Sequence, residues 1–250
     1  MHTNLVEDWL IISDSHIPFH NKVLHDKVLR FIKEVKPYGL AIIGDFIDMQ
    51  SLSRFSEGSL KDLRDVSMAK DYAAGAAELD RFDQALPKGA KKVYIMGNHE
   101  DRFTSFMARM DNDKLQLQSP AEGLRLRERG YRVIDDWENG YYVLGSSLEL
   151  IHGVSTGVNA AKIHLDRFQG SVISGHAHVI QHYCTNKRGS WIIGGLFNAR
   201  SKAGYSWASR ATKERWSNGF AYAIINGHGY HHVHLIHAFN DRFVFGPKLW

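Results

Sequence analysis

The sequence predicts an α/β fold, βαβ-like in its N-terminal half and more antiparallel in its C-terminal half. Three observations predict it. Short apolar runs alternate with longer amphipathic stretches, as strands exchange with helices. Two pairs of short runs late in the chain are joined by Asn-Gly turn signals. Five of the apolar runs end in residues able to ligate a metal, and in α/β sheets such strand ends converge on one crevice.

Taken in order, Trp9–Ser13 (WLIIS) reads as a buried strand and Lys22–Val35 as a helix. Leu40–Ile43 (LAII) is the second strand, followed by a long helix over Ser59–Ala85. Ala69, Ala73, Ala74, Ala76 and Ala77 space that helix for close packing, as an ordinary layer helix. Val93–Met96 (VYIM) is a strand and Arg102–Leu117 a helix. Tyr131–Ile134 and Tyr141–Leu144 form a hairpin around Asn139–Gly140. Leu148–Ile151 and Val172–Ser174 are strands on either side of a helix over Val158–Phe168. Lys187–Arg188 marks a hairpin turn, and Phe220–Ile225 pairs with Tyr230–Ile236 through Asn226–Gly227–His228–Gly229. With no repeat and no Pro/Ser-rich linker, residues 1–250 read as one domain.

The composition, 44% hydrophobic and 23% charged, is that of a globular protein. No apolar run approaches the ~20 residues that cross a bilayer, so no membrane partner is expected. The N-terminal MHTNLVEDWLIIS lacks the basic start and small-residue cleavage site of a signal peptide. Cys184 is the only cysteine, which excludes an intrachain disulfide and points to a reducing compartment, the cytoplasm. A formal charge of +4 permits a nucleic-acid partner without demanding one. The 15 histidines direct attention to metal and acid–base chemistry.

Their placement is informative. The first strand runs into Asp14–Ser15–His16, the second into Gly44–Asp45 with Asp48 beyond, and the third into Gly97–Asn98–His99–Glu100. Leu148–Ile151 runs into His152 and Val172–Ser174 into Gly175–His176–Ala177–His178. Asp14, His16, Asp45, Asn98, His152, His176 and His178 make a set of two carboxylates, one amide and four imidazoles. That borderline-soft set suits Mn, Fe, Zn or Co better than Ca or Mg, and a carboxylate can bridge two ions.

In order, DSH, GDFID, GNHE, IHG and GHAH resemble the motifs of the calcineurin-like metallophosphoesterase superfamily over residues 14 to 178. The resemblance implies two mixed β-sheets packed as a sandwich flanked by helices, four α/β/β/α layers. It implies a pair of divalent ions, manganese first and Fe, Zn, Co or Ni next. Asp14, His16 and His178 would hold one ion, Asn98, His152 and His176 the other, and Asp45 both. His99 would protonate the leaving oxygen while Asp48 orients its ring. The implied reaction is phosphate-ester hydrolysis by a hydroxide bridging the ions. Two departures narrow the substrate. Met49–Gln50 stands where the Ser/Thr protein phosphatases carry a phosphate-gripping Arg-Gly, and Asp48 replaces the tyrosine ligand of purple acid phosphatases. The chain is most similar in size to the small phosphoesterases of bacteria and bacteriophages, the latter acting in the host cytoplasm.

In the segment Asn198–Trp216, Arg200, Lys202, Arg210, Lys213 and Arg215 interleave with Tyr205, Trp207 and Trp216. Cations that follow a phosphate backbone and rings that stack on bases point to single-stranded DNA or RNA, with Arg200, Lys202 and Trp207 as contacts; the plain alternative is a solvated loop. Arg102 is a further phosphate contact or simply an exposed helix charge, the latter slightly favoured. His228, His231, His232, His234 and His237 read as an edge strand rather than a metal tract, and Cys184 as a small buried residue. The expected activity is thus that of a phosphodiesterase or nuclease. The alternatives are a small-molecule phosphomonoesterase or cyclic-nucleotide phosphodiesterase, and a non-catalytic metal-binding interaction module. Oligomeric state is not encoded in any motif.

Overall fold

The computed structural model of the protein describes residues 6–53, 67–110, 117–198 and 209–250. In chain order the elements are β1 (Val6–Ile12), α1 (Lys22–Val35), β2 (Gly39–Ile43), α2 (Met68–Ala85), β3 (Lys91–Ile95), α3 (Arg102–Met110) and the short α4 (Pro120–Gly123). Then come β4 (Arg132–Ile134), β5 (Tyr142–Leu144), β6 (Leu148–Leu150), α5 (Ala160–Arg167), β7 (Ser171–Ser174), β8 (Gln181–Cys184) and β9 (Gly189–Ile192). The chain closes with α6 (Arg210–Arg215), β10 (Asn218–Asn226), β11 (His231–Ala238), β12 (Val244–Phe245) and β13 (Lys248–Leu249).

One sheet has the order β11-β10-β1-β2-β3-β4, and a second has β5-β6-β7-β9-β8. β1 to β4 run parallel, and β10 and β11 add antiparallel at one edge. Side-chain alternation sorts the first sheet's residues into two cores. Leu10, Ile12, Leu40, Ile42 and Tyr94 pack under the helices with Leu24, Val28, Phe31 and Phe82. Trp9, Ile11, Ala41, Ile43, Val93 and Ile95 face the second sheet's Leu144, Leu148, Leu150 and Ile173. On the far side, Ala160 and Ala161 of α5 pack on Ala177 and Ile192. The layers are therefore α/β/β/α, as expected.

α1 has the predicted bounds because both ends are specified locally. Asn21 accepts the Leu24 amide as N-cap, and Lys36 closes the helix in a left-handed conformation. Its buried Leu24, Val28, Leu29, Phe31 and Ile32 form one stripe, each contributing about 1.5–3 kcal/mol on burial. α2 is described from Met68, capped by Ser67, and residues 59–66 of its predicted span lie outside those described. Residues 111–116, in the predicted helix Arg102–Leu117, also lie outside them.

The hairpin expected around Asn139–Gly140 does not form. β4 extends the first sheet, pairing parallel with β3 (Tyr94 with Val133), while β5 pairs antiparallel with β6 in the second. The turn itself is present: the Asp136 carboxylate accepts the Glu138 and Asn139 amides, at 3.0 and 2.9 Å. A turn signal specifies a local reversal and not the partner. Here both flanking strands gain more by joining open edges of larger sheets. The β10–β11 hairpin forms as expected, with β11 at a sheet edge, and Thr185 to Arg188 closes the β8–β9 turn. Cys184 is not buried. It is exposed on edge strand β8, with His182 Nε2 2.9 Å from its sulfur. No described helix is long and apolar enough to cross a membrane.

Candidate metal centre

The carboxyl ends of β1, β2, β3, β6 and β7 carry Asp14, His16, Asp45, Asn98, His152, His176 and His178 toward one place. Asp14, His16, Asp45, His176 and His178 all sit at left-handed φ, between 48° and 66°. Such residues cost about 1–2 kcal/mol each unless the surroundings impose the conformation. Here they do so by backbone pairing between strand ends: the Asp14 amide donates to Gly44 O (3.0 Å) and the His16 amide to Asp45 O (2.9 Å). Each turn swings its side chain off the strand direction into the crevice.

Donor atoms of Asp14, His16, Asp45 and His178 lie within 4.8 Å of one another, as do those of Asp45, His152 and His176. Asp45 belongs to both groups. His178 Nε2 is 3.2 Å from Asp14 Oδ1, and His16 Nε2 is 3.8 Å from carboxylate oxygens of both Asp14 and Asp45. On the other side His152 Nε2 lies 3.4 Å from Asp45 Oδ1 and 3.0 Å from Asn98 Oδ1. The His152 Nδ1–H donates to Ile43 O at 2.9 Å, which leaves Nε2 as the ligating nitrogen. Packing here is tight enough to require glycine. A Cβ on Gly97 would come within 2.1 Å of Asp45 Oδ1, and one on Gly44 within 2.2 Å of His152 Nδ1.

Burial by itself would raise the Asp14 and Asp45 pKa values, yet both are lowered. His178 and His152 hold Asp14 down, and His99, His152 and His16 hold Asp45 well below the carboxylate range. In return, although burial opposes it, the Asp45 and Asp14 carboxylates raise His152 to about 9. Two buried carboxylates thus draw positive charge to this spot, and a proton stands where a cation would bind. Metal and protons compete for such donors. The donor set, its burial and the glycine-lined approach fit divalent cations.

His99 borders the same cleft of about 340 Å³, together with Thr156, Thr212, Arg215 and Trp216. Its Nδ1–H donates to the Asp48 backbone carbonyl at 2.8 Å, shorter than the 3.5 Å to the Asp48 carboxylate. That carboxylate lies nearer His16 Nδ1, at 3.3 Å. Asp48 therefore touches His99 chiefly through its main chain. Burial would raise the Asp48 pKa, but His99 and His16 keep it below the usual range. Arg102 is not the exposed helix charge favoured above: its guanidinium bonds Asp48 O at 2.7 Å and His99 Nε2 at 3.0 Å. It starts α3 one turn beyond His99, so its reach back to that ring follows from helical geometry. Arg200, Lys202 and Trp207 lie outside the described residues. The end of their segment does reach the cleft, where Trp216 meets the His178 ring edge-on at 5.0 Å.

Two buried residues had no role assigned from sequence. Glu100 accepts hydrogen bonds from Asp45 N, Phe46 N, Gly97 N (each 2.9 Å), Ile47 N (3.2 Å) and Tyr94 OH (2.8 Å). It stitches the turn bearing Asp45 to the turn bearing Asn98 and His99. His164 of α5 accepts the Val154 amide at 3.0 Å and lies 3.1 Å from Ser174 Oγ, holding the turn after His152. The fourth position of GNHE marked Glu100 as acidic within a motif, but only its burial shows what it does. A lone helical histidine such as His164 carried no signal.

Among known proteins, the family model described as calcineurin-like phosphoesterase matches residues 9–229. The Gene 54 protein of Mycobacterium phage D29 is 25% identical over 261 residues, covering 96% of this chain and 97% of its own length. Vacuolar Protein Sorting 29 from Cryptosporidium parvum superposes with a TM-score of 0.49 at 12% identity, over 99% of each chain. A metallophosphoesterase from Sphaerobacter thermophilus gives 0.46 at 14% identity, over 92% of this chain and 88% of that one.

Proposed function

This chain belongs to the calcineurin-like phosphoesterase family, metal-dependent hydrolases of phosphate esters, and from that premise we propose that it is a dinuclear phosphodiesterase acting on nucleic acid or nucleotides. The observation that carries the reading is Asp45, shared between two groups of donors at the floor of one cleft. Asp14, His16 and His178 would hold one divalent ion and Asn98, His152 and His176 the other, manganese being the first candidate. When bound, such a pair supplies Lewis acidity to the phosphate and makes water a nucleophile near neutral pH.

The chain's own residues do the positioning. Arg102 bonds His99 Nε2, and its approach to a carboxylate among the described residues is the 3.4 Å to Asp48 Oδ1. A phosphate oxygen entering the cleft draws the guanidinium to itself. His99 Nε2 is then free to take up a proton and pass it to the leaving oxygen, while Nδ1 stays anchored on Asp48 O. Thr212, Arg215 and Trp216 present a hydroxyl, a cation and an indole at the same cleft. That combination suits a phosphate followed by a base better than a bare monoester.

The test is hydrolysis of bis-p-nitrophenyl phosphate, p-nitrophenyl phosphate and a single-stranded oligonucleotide, with Mn²⁺ and with chelator. Diester and oligonucleotide turnover abolished by chelator is expected. Turnover of the monoester alone would refute the diester assignment, and no turnover of any substrate by metal-loaded protein would refute catalysis.

A further inference from the structure

Away from the shared cleft, the loop after β1, the first turn of α1 and the middle of α2 bring His20, His25 and Glu78 together. One donor atom of each lies within 4.8 Å of the others, and none of the three belongs to the centre described above. His25 Nδ1 is 2.8 Å from Glu78 Oε1, His20 Nε2 is 4.0 Å from Glu78 Oε2, and the two imidazoles stand 4.7 Å apart between centroids. We propose that these three residues form a separate mononuclear site for a divalent transition-metal cation such as Zn²⁺, tying the loop after β1 to α1 and α2.

Two imidazoles and one carboxylate are a borderline-soft donor set that zinc accepts, with a position left for water. The observation that singles this trio out from an ordinary buried ion pair is its incomplete hydrogen bonding. His25 is fully buried, and its Nε2 has no partner among the described residues; neither has the buried His20 Nδ1. Each ring thus turns one nitrogen toward Glu78 and keeps the other without a partner among the described residues, and since buried polar side-chain atoms nearly always find one, a bound ion with its coordinated water would complete the cluster. His20 and Glu78 are already in ligating form. Burial, reinforced by the charge of His25, pushes His20 down to about 4, leaving a neutral ring at pH 7. Burial works against ionisation of Glu78, but His25 and Arg81 outweigh it and hold the carboxyl at about 2.

Arg81 is the competitor, since its Nη1 bonds both Glu78 oxygens, at 3.0 and 2.9 Å. It also pairs with Asp26, so it keeps a carboxylate partner if a cation takes a Glu78 lone pair. A carboxylate offers about four such sites. Access exists as well: His20 opens on a concavity of about 630 Å³ that also meets Asn21, Asn218 and Asp241.

The test compares bound zinc, by mass spectrometry after equilibration with Zn²⁺ alone, in four proteins. These are the parent, His20→Ala, Asp45→Ala and Asp45→Ala/His20→Ala. His20 sits at the rim of the core, so its truncation spares the packing that His25→Ala would disturb, and a circular-dichroism melt checks folding. One ion per chain fewer with His20→Ala in both backgrounds is expected, together with a Zn²⁺-induced rise in Tm of Asp45→Ala that the double variant lacks. Equal zinc content with and without His20 in the Asp45→Ala background would overturn the proposal, whatever the dinuclear centre does.

Discussion

Glu100 offers the sharpest check on how the site is built. Its Oε1 accepts Phe46 N, Ile47 N and Tyr94 OH, and its Oε2 accepts Asp45 N and Gly97 N. Glu100→Gln is nearly isosteric, yet it must turn an NH2 toward one of those two groups. In either orientation two backbone N–H donors lose their acceptor and face another donor. A hydrogen bond to a charged group contributes about 1.5–3 kcal/mol, and a buried donor left unsatisfied costs about 1–3 kcal/mol. The variant should therefore lose about 3–5 kcal/mol, a large share of the ~5–15 kcal/mol typical of a domain. The loss falls on the turns that carry Asp45 and Asn98, so Mn²⁺ binding should weaken with stability. Urea unfolding of the metal-free protein gives the first number and calorimetric titration with Mn²⁺ the second. A destabilisation under about 1 kcal/mol with unchanged Mn²⁺ affinity would refute the reasoning, because the carboxylate would then not be the element holding the two turns.

Asp45→Ala should reduce Mn²⁺ binding at the centre more than Asp14→Ala or His176→Ala, since only Asp45 enters both donor groups; elemental analysis with two ions retained would contradict that. His99→Ala should lower kcat for a diester by ~10²–10⁴ while leaving Mn²⁺ content unchanged, and a loss of metal instead would make His99 structural. Asp71, buried on α2 with Oδ2 unpartnered among the described residues, has its carboxyl raised to about 7, first by burial and then by Asp48, with Arg102 opposing. Because the folded pKa lies above the ordinary 3.8, the native state keeps a proton the unfolded chain has lost, and stability falls as pH rises from about 4 to about 7. Asp71→Asn should remove that slope and gain on the order of 2–4 kcal/mol above pH 7, read from urea midpoints at pH 5 and 8; an unchanged slope would mean the carboxyl is solvated.

Five donor-bearing strand ends were legible in the sequence because a strand's length and apolarity are local properties, and the residue that follows a buried run is fixed by chain order. The first helix was legible for the same reason, its cap, stripe and stop all lying within sixteen residues, from Asn21 to Lys36. Local order also predicts that the strand ends converge, once parallel connection is granted, but not which atoms meet. Only the tertiary structure places the Asp48 carbonyl rather than its carboxylate against His99, brings Arg102 back onto that ring, and buries Glu100 under five donors. It also decided that β4 and β5 part company at a turn that looks like a hairpin, since strand pairing is a competition among all open edges. The sequence by itself determined the inventory and the order of the chemistry. The partners of buried polar groups were decided by packing, because a hydrogen bond between residues far apart in the chain has no local signature until the fold sets the distance.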